Sequence, residues 1–201
     1  MNWLNIISYG GTFVFAVTGA LKARTHQMDV FGAAVLAFST AYGGGTIRDI
    51  LLGIKPVNWL GDYFALGLVL SALLITFLLK TNIKKFNRTI FITDAIGIGM
   101  FTIAGIKVSM LAGIGEGYSI IMGVISATFG GLITDILCNN IPDLLKNGEL
   151  YATACFIGGV VFIFLLKMGV HPDLCIIICV SLIVALRILS RMKRIGLPRF
   201  K

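Results

Sequence analysis

The chain has 201 residues and a formal net charge of +8, from 17 Lys and Arg against 9 Asp and Glu. Apolar residues make up 57% of it, charged residues only 13%, and the mean hydropathy is +0.95. A soluble domain carries about 25% charged residues, so this composition excludes a water-soluble core, intrinsic disorder and a nucleic-acid module. An integral membrane protein remains.

Charge-poor runs along the chain predict an all-α fold of seven transmembrane helices, since about 20 apolar residues span a bilayer. The runs are too long for strands and do not alternate, which argues against a β-barrel. The predicted helices cover residues 4–21, 29–54, 61–79, 89–107, 116–140, 149–167 and 173–190. The second and fifth are too long for one straight crossing, and glycines near their far ends predict that both are broken.

The distribution of basic residues predicts the orientation. With the N-terminus outside, the inner loops and the tail hold 13 Lys and Arg, and the outer loops hold 4. This bias predicts a multi-pass protein of the plasma (inner) membrane with a cytoplasmic C-terminus. We expect the basic tail, residues 191–201, to contact anionic lipid headgroups rather than nucleic acid, because it has one aromatic residue and no folded module behind it.

The chain repeats itself at an offset of 86 residues. Over 11–56 against 97–142, 11 of 46 positions are identical, and the pattern G-G-x-I-x-D-I-L-x4-P occurs in both copies. Each copy holds three predicted spans, so the second copy is inverted relative to the first. This predicts one membrane domain, a 3+3 inverted repeat with repeat one at about 4–80, repeat two at about 89–168 and an extra helix at about 173–190. Inverted repeats with discontinuous helices are typical of transporters.

Small residues recur every fourth position before each glycine cluster. Ala33, Ala37, Ala41 and Gly45 match Ser119, Gly123, Ala127 and Gly131 in the second copy. Such stripes let helix backbones approach closely, either between the two broken helices or between protomers.

The two glycine clusters hold the candidate ion path. A glycine break leaves backbone N–H and C=O groups without helical hydrogen bonds, and inside the membrane such groups must face protein or a water-filled cavity. Ionisable groups at that depth are costly and usually functional. The candidate path residues are Gly43, Gly44, Gly45, Thr46, Arg48, Asp49, Thr128, Gly130, Gly131, Thr134 and Asp135. Two simpler interpretations stay open: the glycines are close-packing sites, and the charged residues lie at the membrane interfaces.

Other polar residues give weaker signals. Asp94 either bonds across helices or caps its own helix, and its repeat equivalent is Ser8. His26 and His171 fall on opposite sides, and no cysteine has the neighbours that a metal site needs, so we predict no metal and no cofactor. No triad typical of catalysis is present, which predicts a protein that is not an enzyme.

The segments G-G-G-T-I-R-D-I-L-L-G and G-G-L-I-T-D-I-L, with F-x-x-x-G-A-L-K-A-R at Phe15–Arg24, resemble prokaryotic trimeric intracellular cation (TRIC) channels. The resemblance covers about residues 5–190. It implies a homotrimer with one pore per protomer, glycine kinks in helices two and five, and conduction of K⁺ and Na⁺. Arg48 and Asp49 take the place of a Lys-Glu motif that contacts phosphoinositide in animal members.

The resemblance also carries an alternative, since the same duplicated domain is called a glycine transporter in some descriptions. A small-solute carrier would use the same two helices as a channel. Sequence separates these two functions poorly, because both need polar groups at depth in the membrane.

Overall fold

The structure is a computed structural model that describes residues 3–78 and 83–198, without the side chains of residues 83–86. In this part of the chain all regular structure is helical. The seven α-helices are α1 Trp3–Thr25, α2 Val30–Leu51, α3 Tyr63–Leu78, α4 Ile83–Leu111, α5 Glu116–Leu137, α6 Ala152–Lys167 and α7 Pro172–Lys193. The last three residues of the predicted basic tail, 199–201, lie outside the described residues.

The helix lengths fit a membrane protein. Helices α1, α2, α4, α5 and α7 are long and apolar enough to span a bilayer, and α3 and α6 are apolar helices of 16 residues. At 1.5 Å per residue the shorter helices measure about 24 Å, slightly less than the hydrocarbon core. Large apolar side chains on α3, including Leu70, Leu74 and Phe77, are exposed, as lipid-facing groups should be. The predicted all-α, seven-helix membrane fold is confirmed.

Helices α2 and α5 are equivalent elements of the two repeats. The offset of 86 carries Val30–Leu51 onto Glu116–Leu137, so the two helices begin and end at matched positions. Their ends also match, because Gly53 and its equivalent Asn139 both have positive φ, 70° and 53°. Either residue tolerates this left-handed conformation, which closes the helix and turns the chain back.

The prediction that α2 and α5 are broken at their glycines is wrong. Both helices continue through the glycine clusters and end at Leu51 and Leu137, short of the predicted ends at 54 and 140. The glycines cost helix propensity, but neighbouring helices pack against them so closely that the helical ladder persists. The extra predicted length belongs to the turns that follow each helix.

Reciprocal contacts show how the two repeats pair. A Cβ atom added at Gly44 would overlap the carbonyl oxygen of Ser126, and one at the equivalent Gly130 would overlap that of Thr40, the equivalent of Ser126. Gly44 contacts Ser126, and their repeat equivalents Gly130 and Thr40 contact each other in the same way. Such reciprocal contacts require a two-fold relation between the two repeats. The inverted repeat is therefore visible as a pseudo-two-fold axis between α2 and α5.

The same relation joins α1 and α4. A Cβ at Gly11 would press on the ring of Phe101, and one at Gly97 would press on the ring of Phe15. The two equivalent rings stack with their centroids 5.1 Å apart. Helices α1, α2, α4 and α5 thus form the centre of the molecule, where α1 packs on α2 and α4, and α5 packs on α2 and α4.

The remaining helices lie outside this centre. Helix α3 packs mainly on α1, whereas α6 and α7 pack on each other and on α4 and α5. The small-residue stripes serve contacts within the protomer: at Gly123 a Cβ would meet the Thr102 carbonyl of α4 at 2.7 Å. Helix α7 therefore supports the second repeat alone, and this makes the two halves unequal.

Candidate functional site

The repeated aspartates lie at opposite ends of the paired helices α2 and α5. Each stands two residues before the end of its helix, and each accepts a backbone N–H from the loop that follows. Asp49 Oδ2 accepts from Asn58 N at 2.8 Å, and Asp135 Oδ2 accepts from Asp143 N at 2.9 Å. We call the two regions the Asp49 end and the Asp135 end. The two-fold relation of the repeats explains this separation, and the loop contacts show that each aspartate also has a structural role.

At the Asp49 end the cation comes from the neighbouring residue. Arg48 donates through Nε and Nη2 to Asp49 Oδ1 at 2.9 and 2.7 Å, and through Nη1 to Ser126 Oγ at 3.1 Å. Asn58 Nδ2 adds a further bond to Asp49 Oδ1 at 3.1 Å. Both charged side chains are buried, and each neutralises the other. The Arg48 guanidinium is thus held in place by a carboxylate and a hydroxyl.

An open cavity of about 550 Å³ adjoins this ion pair, and we call it the vestibule. Arg48, Asp49 and Asp62 contribute charge to its wall, and Gly45 is the one residue of the candidate glycine clusters that lines it. The other polar and aromatic lining residues are Asn5, Ser8, Tyr9, Thr12, Tyr42, Asn58, Trp59 and Phe101. One end of the molecule therefore has a largely apolar chamber with polar and charged groups in its wall, and this chamber reaches the glycine segment of α2.

Between the two ends, α2 and α5 are in direct backbone contact. Gly43 lies against Gly130, where an added Cβ would be 3.4 Å from the Gly130 Cα. The hydroxyls of Thr40 and Thr134 bond to each other at 2.7 Å, with neither exposed. Gly43, Gly44 and Gly130 meet at this crossing and in this conformation close the space between the helices, whereas Gly45 and Gly131 lie outside the contact.

At the Asp135 end the cation comes from another helix. Lys22 of α1 donates through Nζ to Asp135 Oδ1 at 2.6 Å, and both side chains are buried. The repeat equivalent of Lys22 is Val108, which lines the vestibule. Lys22 therefore forms a salt bridge at the Asp135 end, whereas its equivalent Val108 lines an open cavity at the Asp49 end.

A second buried charge cluster lies behind Asp135. Arg187 of α7 donates to Asp94 Oδ2 at 3.4 Å and to Glu149 Oε2 at 3.2 Å, and its guanidinium carbon is 4.4 Å from the ring centre of Tyr151. Tyr151 Oη in turn donates to Asp94 Oδ1 at 3.3 Å. Asp94 lies well inside α4, which begins at residue 83, so it bonds across helices and does not cap its own helix.

The other candidate residues have local roles. Thr46 donates to the Tyr42 carbonyl at 2.8 Å and accepts from Trp59 Nε1 at 2.8 Å, so it braces the vestibule wall. Thr128 is buried and donates to the Val124 carbonyl at 2.8 Å. At Gly131 an added Cβ would lie 2.9 Å from Tyr151 Oη, whereas at Gly45 the nearest atom would be 3.7 Å away.

Sequence reasoning missed Lys22, Thr40, Ser126 and Arg187 as partners of the candidate residues. Only Arg187 carried a usable signal, because a lone Arg inside an apolar run needs a buried carboxylate, and Asp94 was the unassigned one. Among the described residues, no group of three or more His, Cys, Asp or Glu side chains is placed to hold a metal ion.

Comparison with known proteins supports both the repeat and the membrane assignment. A family model described as glycine transporter matches residues 5–81 and again 91–167, two ranges related by the same offset of 86. A UPF0126 membrane protein of Vibrio cholerae is 38% identical over 198 residues, covering 98% of this chain and 82% of its own length. The UPF0126 inner membrane protein YadS of Escherichia coli K12 is 39% identical over 160 residues, covering 79% of this chain and 75% of its own length.

Solved structures share the whole fold. One, from work on conductance through TRIC cation channels, matches with a TM-score of 0.85 and 36% identity over 98% of this chain and 97% of its own. The TRIC trimeric intracellular cation channel orthologue from Rhodobacter sphaeroides matches with a TM-score of 0.87 and 29% identity, over 97% of this chain and 100% of its own.

Proposed function

The chain belongs to the glycine-transporter (UPF0126) family of membrane proteins and has the TRIC channel fold, and we propose that it forms a homotrimeric channel for monovalent cations, with one pore in each protomer. The observation that carries the proposal is the match of nearly the whole chain to cation channels at 29% and 36% identity.

The proposed path enters through the vestibule, passes between α2 and α5 at Gly43, Gly44 and Gly130, and leaves beside Asp135. Glycine backbones at a helix crossing present carbonyl oxygens, which suit partly dehydrated K⁺ and Na⁺. The contact between α2 and α5 and the Lys22–Asp135 salt bridge would both have to open for conduction. On this proposal the structure represents a closed state that is accessible from the Asp49 end.

The test is a recording from purified protein in a planar bilayer. We expect unitary current steps that reverse near the K⁺ equilibrium potential in a KCl gradient and vanish when a large organic cation replaces K⁺ and Na⁺. Arg48→Ala should change conductance or open probability without unfolding the protein. A well-folded preparation that gives no steps over repeated fusions contradicts the channel.

A carrier for a small solute such as glycine is the second candidate. The family description favours it, and so does the asymmetry between an open end and a closed end, since carriers with inverted repeats expose one side at a time. Saturable glycine uptake into proteoliposomes, without current steps from the same preparation, would replace the channel by the carrier.

Subunit number and orientation have their own tests. The proposed homotrimer of 21.7 kDa chains should give three times that protein mass in mild detergent, and a monomer or dimer contradicts it.

Because the four native cysteines are buried, the exposed sites Ala112→Cys and Asn147→Cys can be labelled selectively. The proposed orientation expects impermeant label to reach position 112 from outside the cell and position 147 only from the cytosol. The proposed contact of the tail with anionic lipid rests on exposed Lys193 and Arg194.

A further inference from the structure

We propose that the vestibule is a binding site for a small organic monocation, a primary ammonium group on a short aliphatic chain. The vestibule is also the entrance of the proposed ion path, but binding of such a ligand does not require conduction. Its volume of about 550 Å³ lies in the usual range for small-molecule pockets.

The charges in the vestibule select a cation. Arg48 donates three hydrogen bonds to Asp49 and Ser126, and the Asp49 carboxylate balances its charge, so this pair contributes no net charge. Asp62 remains, and it forms no ion pair within residues 3–78 and 83–198. The lining therefore carries one uncompensated negative charge, which attracts a monocation and repels a free carboxylate.

The aromatic residues fit the same ligand. Tyr9, Tyr42 and Trp59 all line the chamber, and Tyr42 and Trp59 stack with their centroids 5.0 Å apart. Asp62 lies beside the Tyr9 hydroxyl. Aromatic rings next to a carboxylate are the usual surroundings of bound ammonium groups, because the ring faces attract cations.

One unpartnered group is available for a hydrogen bond to a ligand. The Tyr42 side chain is only 5% exposed, and its hydroxyl has no hydrogen-bond partner among the residues that the structure describes. A buried hydroxyl of this kind is rare, and leaving it unpaired is costly. This oxygen is itself enclosed, so a ligand in the vestibule reaches it once the Tyr42 ring turns towards the chamber. A primary ammonium can then donate to the Tyr42 oxygen while its charge faces Asp62. A quaternary ammonium has no N–H to donate.

A zwitterionic amino acid fits less well. Its carboxylate would need a free cation, and the one cation among the described lining residues is Arg48, which Asp49 already holds at 2.7 Å. The same carboxylate would face the negative charge of Asp62. The vestibule therefore favours an amine without a carboxylate over the glycine suggested by the family description.

Trp59 provides a direct measurement of binding. The chain contains two tryptophans, so Trp3→Phe leaves Trp59 as the only one. The purified protein in detergent is titrated with propylammonium, with propanol as the neutral molecule of similar size and with glycine, at constant ionic strength. We expect a saturable change of Trp59 fluorescence with propylammonium alone.

Variants then identify the groups responsible. Asp62→Asn removes the charge but keeps an oxygen that can cap α3, where Asp62 accepts from Ala65 N at 3.0 Å. Tyr42→Phe removes a hydroxyl that has no partner to lose. Each should weaken propylammonium binding by about tenfold, as expected for a hydrogen bond to a charged group. Asp173→Asn and Tyr118→Phe are matched controls outside the vestibule and should bind like the parent.

Several results would overturn the site. Equal responses to propanol or glycine would contradict its selectivity for an amine. Parent-like binding by both Asp62→Asn and Tyr42→Phe would contradict its location, and so would no saturable response at all. Since binding is read without current, these outcomes do not depend on whether the protein conducts, and absent current steps would leave this site standing.

Discussion

The Asp49 end and the Asp135 end are built from equivalent residues of two repeats, yet an open cavity adjoins Asp49 whereas a salt bridge from α1 covers Asp135. The pseudo-two-fold axis places Ser8 opposite Asp94, Ala65 opposite Tyr151 and Val108 opposite Lys22. At the Asp49 end the three small or neutral residues line the vestibule. At the Asp135 end the three larger polar residues bond to one another or to their neighbours. The repeat therefore sets the framework, and a few substitutions in one copy decide which end is accessible.

The position of the cation shows the same divergence. Arg48 supplies it at the Asp49 end, whereas the equivalent Thr134 bonds to Thr40 and leaves Asp135 to a lysine of α1. Arg48 and Asp49 are neighbours on α2, so their salt bridge joins no other helix to α2. The pair between α1 and α5 ties two helices together, so it has to break if these helices are to separate.

The largest expected effect concerns the contact that both repeats share. Gly44→Ala and Gly130→Ala should each destabilise the protein by about 4 kcal/mol or more, because the added Cβ overlaps a backbone carbonyl that cannot rotate away. Since the two positions are equivalent, the losses should be similar. Thermal unfolding in detergent measures them.

The matched control for these variants is Gly67→Ala, where an added Cβ meets no atom within 4 Å. It should leave unfolding unchanged or raise the temperature slightly. If Gly44→Ala unfolds like this control, the helix crossing is looser than the structure shows.

The next effect belongs to α7, which packs on α4 and α6 of the second repeat and carries Arg187 near the Asp135 end. Arg187→Met should cost about 3–4 kcal/mol, because it leaves the buried carboxylate of Asp94 without its cation. Arg191→Met on the same helix is the control. Its side chain is 44% exposed and lies 3.7 Å from Glu149, so it should cost less than about 1 kcal/mol. Equal losses would show that α7 is held by its apolar face alone.

The fold could be predicted largely from the sequence, and the site only in part. Apolar runs and the repeat can be seen in the sequence itself, so the seven helices and the equivalence of Asp49 and Asp135 followed from them. The course of α2 and α5 through their glycines could not be predicted, because it depends on Thr40 and Ser126 of the opposite helix. The Lys22–Asp135 bond joins residues 113 apart and breaks the repeat, so the pattern gave no indication of it.

The salt bridge at the closed end gives the third prediction. Asp135→Asn should destabilise the protein by about 3 kcal/mol, since it leaves Lys22 buried without a counter-charge. The double variant Lys22→Val, Asp135→Asn copies the valine of the Asp49 end and should recover most of that stability. In planar bilayers the single variant should lower cation conductance, because an unpaired lysine then faces the path.

The double variant also tests what closes this end. If the salt bridge does, removing both charges should raise the open probability above that of the parent. An unchanged open probability with recovered stability would leave the contact between α2 and α5 as the only barrier. A single variant as stable as the parent would contradict the buried pair itself.

The smallest expected effect comes from two equivalent glycines in unlike surroundings. Gly45→Ala should stabilise the protein by up to about 1 kcal/mol, because alanine favours a helix and the nearest atom, Arg48 Nη2, lies 3.7 Å from the new Cβ. Gly131→Ala should gain nothing or lose stability, because the new Cβ would lie 2.9 Å from Tyr151 Oη, a hydroxyl held by Asp94. Adding Tyr151→Phe removes that oxygen and should allow the gain at position 131. If Gly45→Ala and Gly131→Ala shift the unfolding temperature equally in the parent, the space around Gly131 is larger than the structure shows. The difference between the two ends would then lie in their charges rather than in their packing.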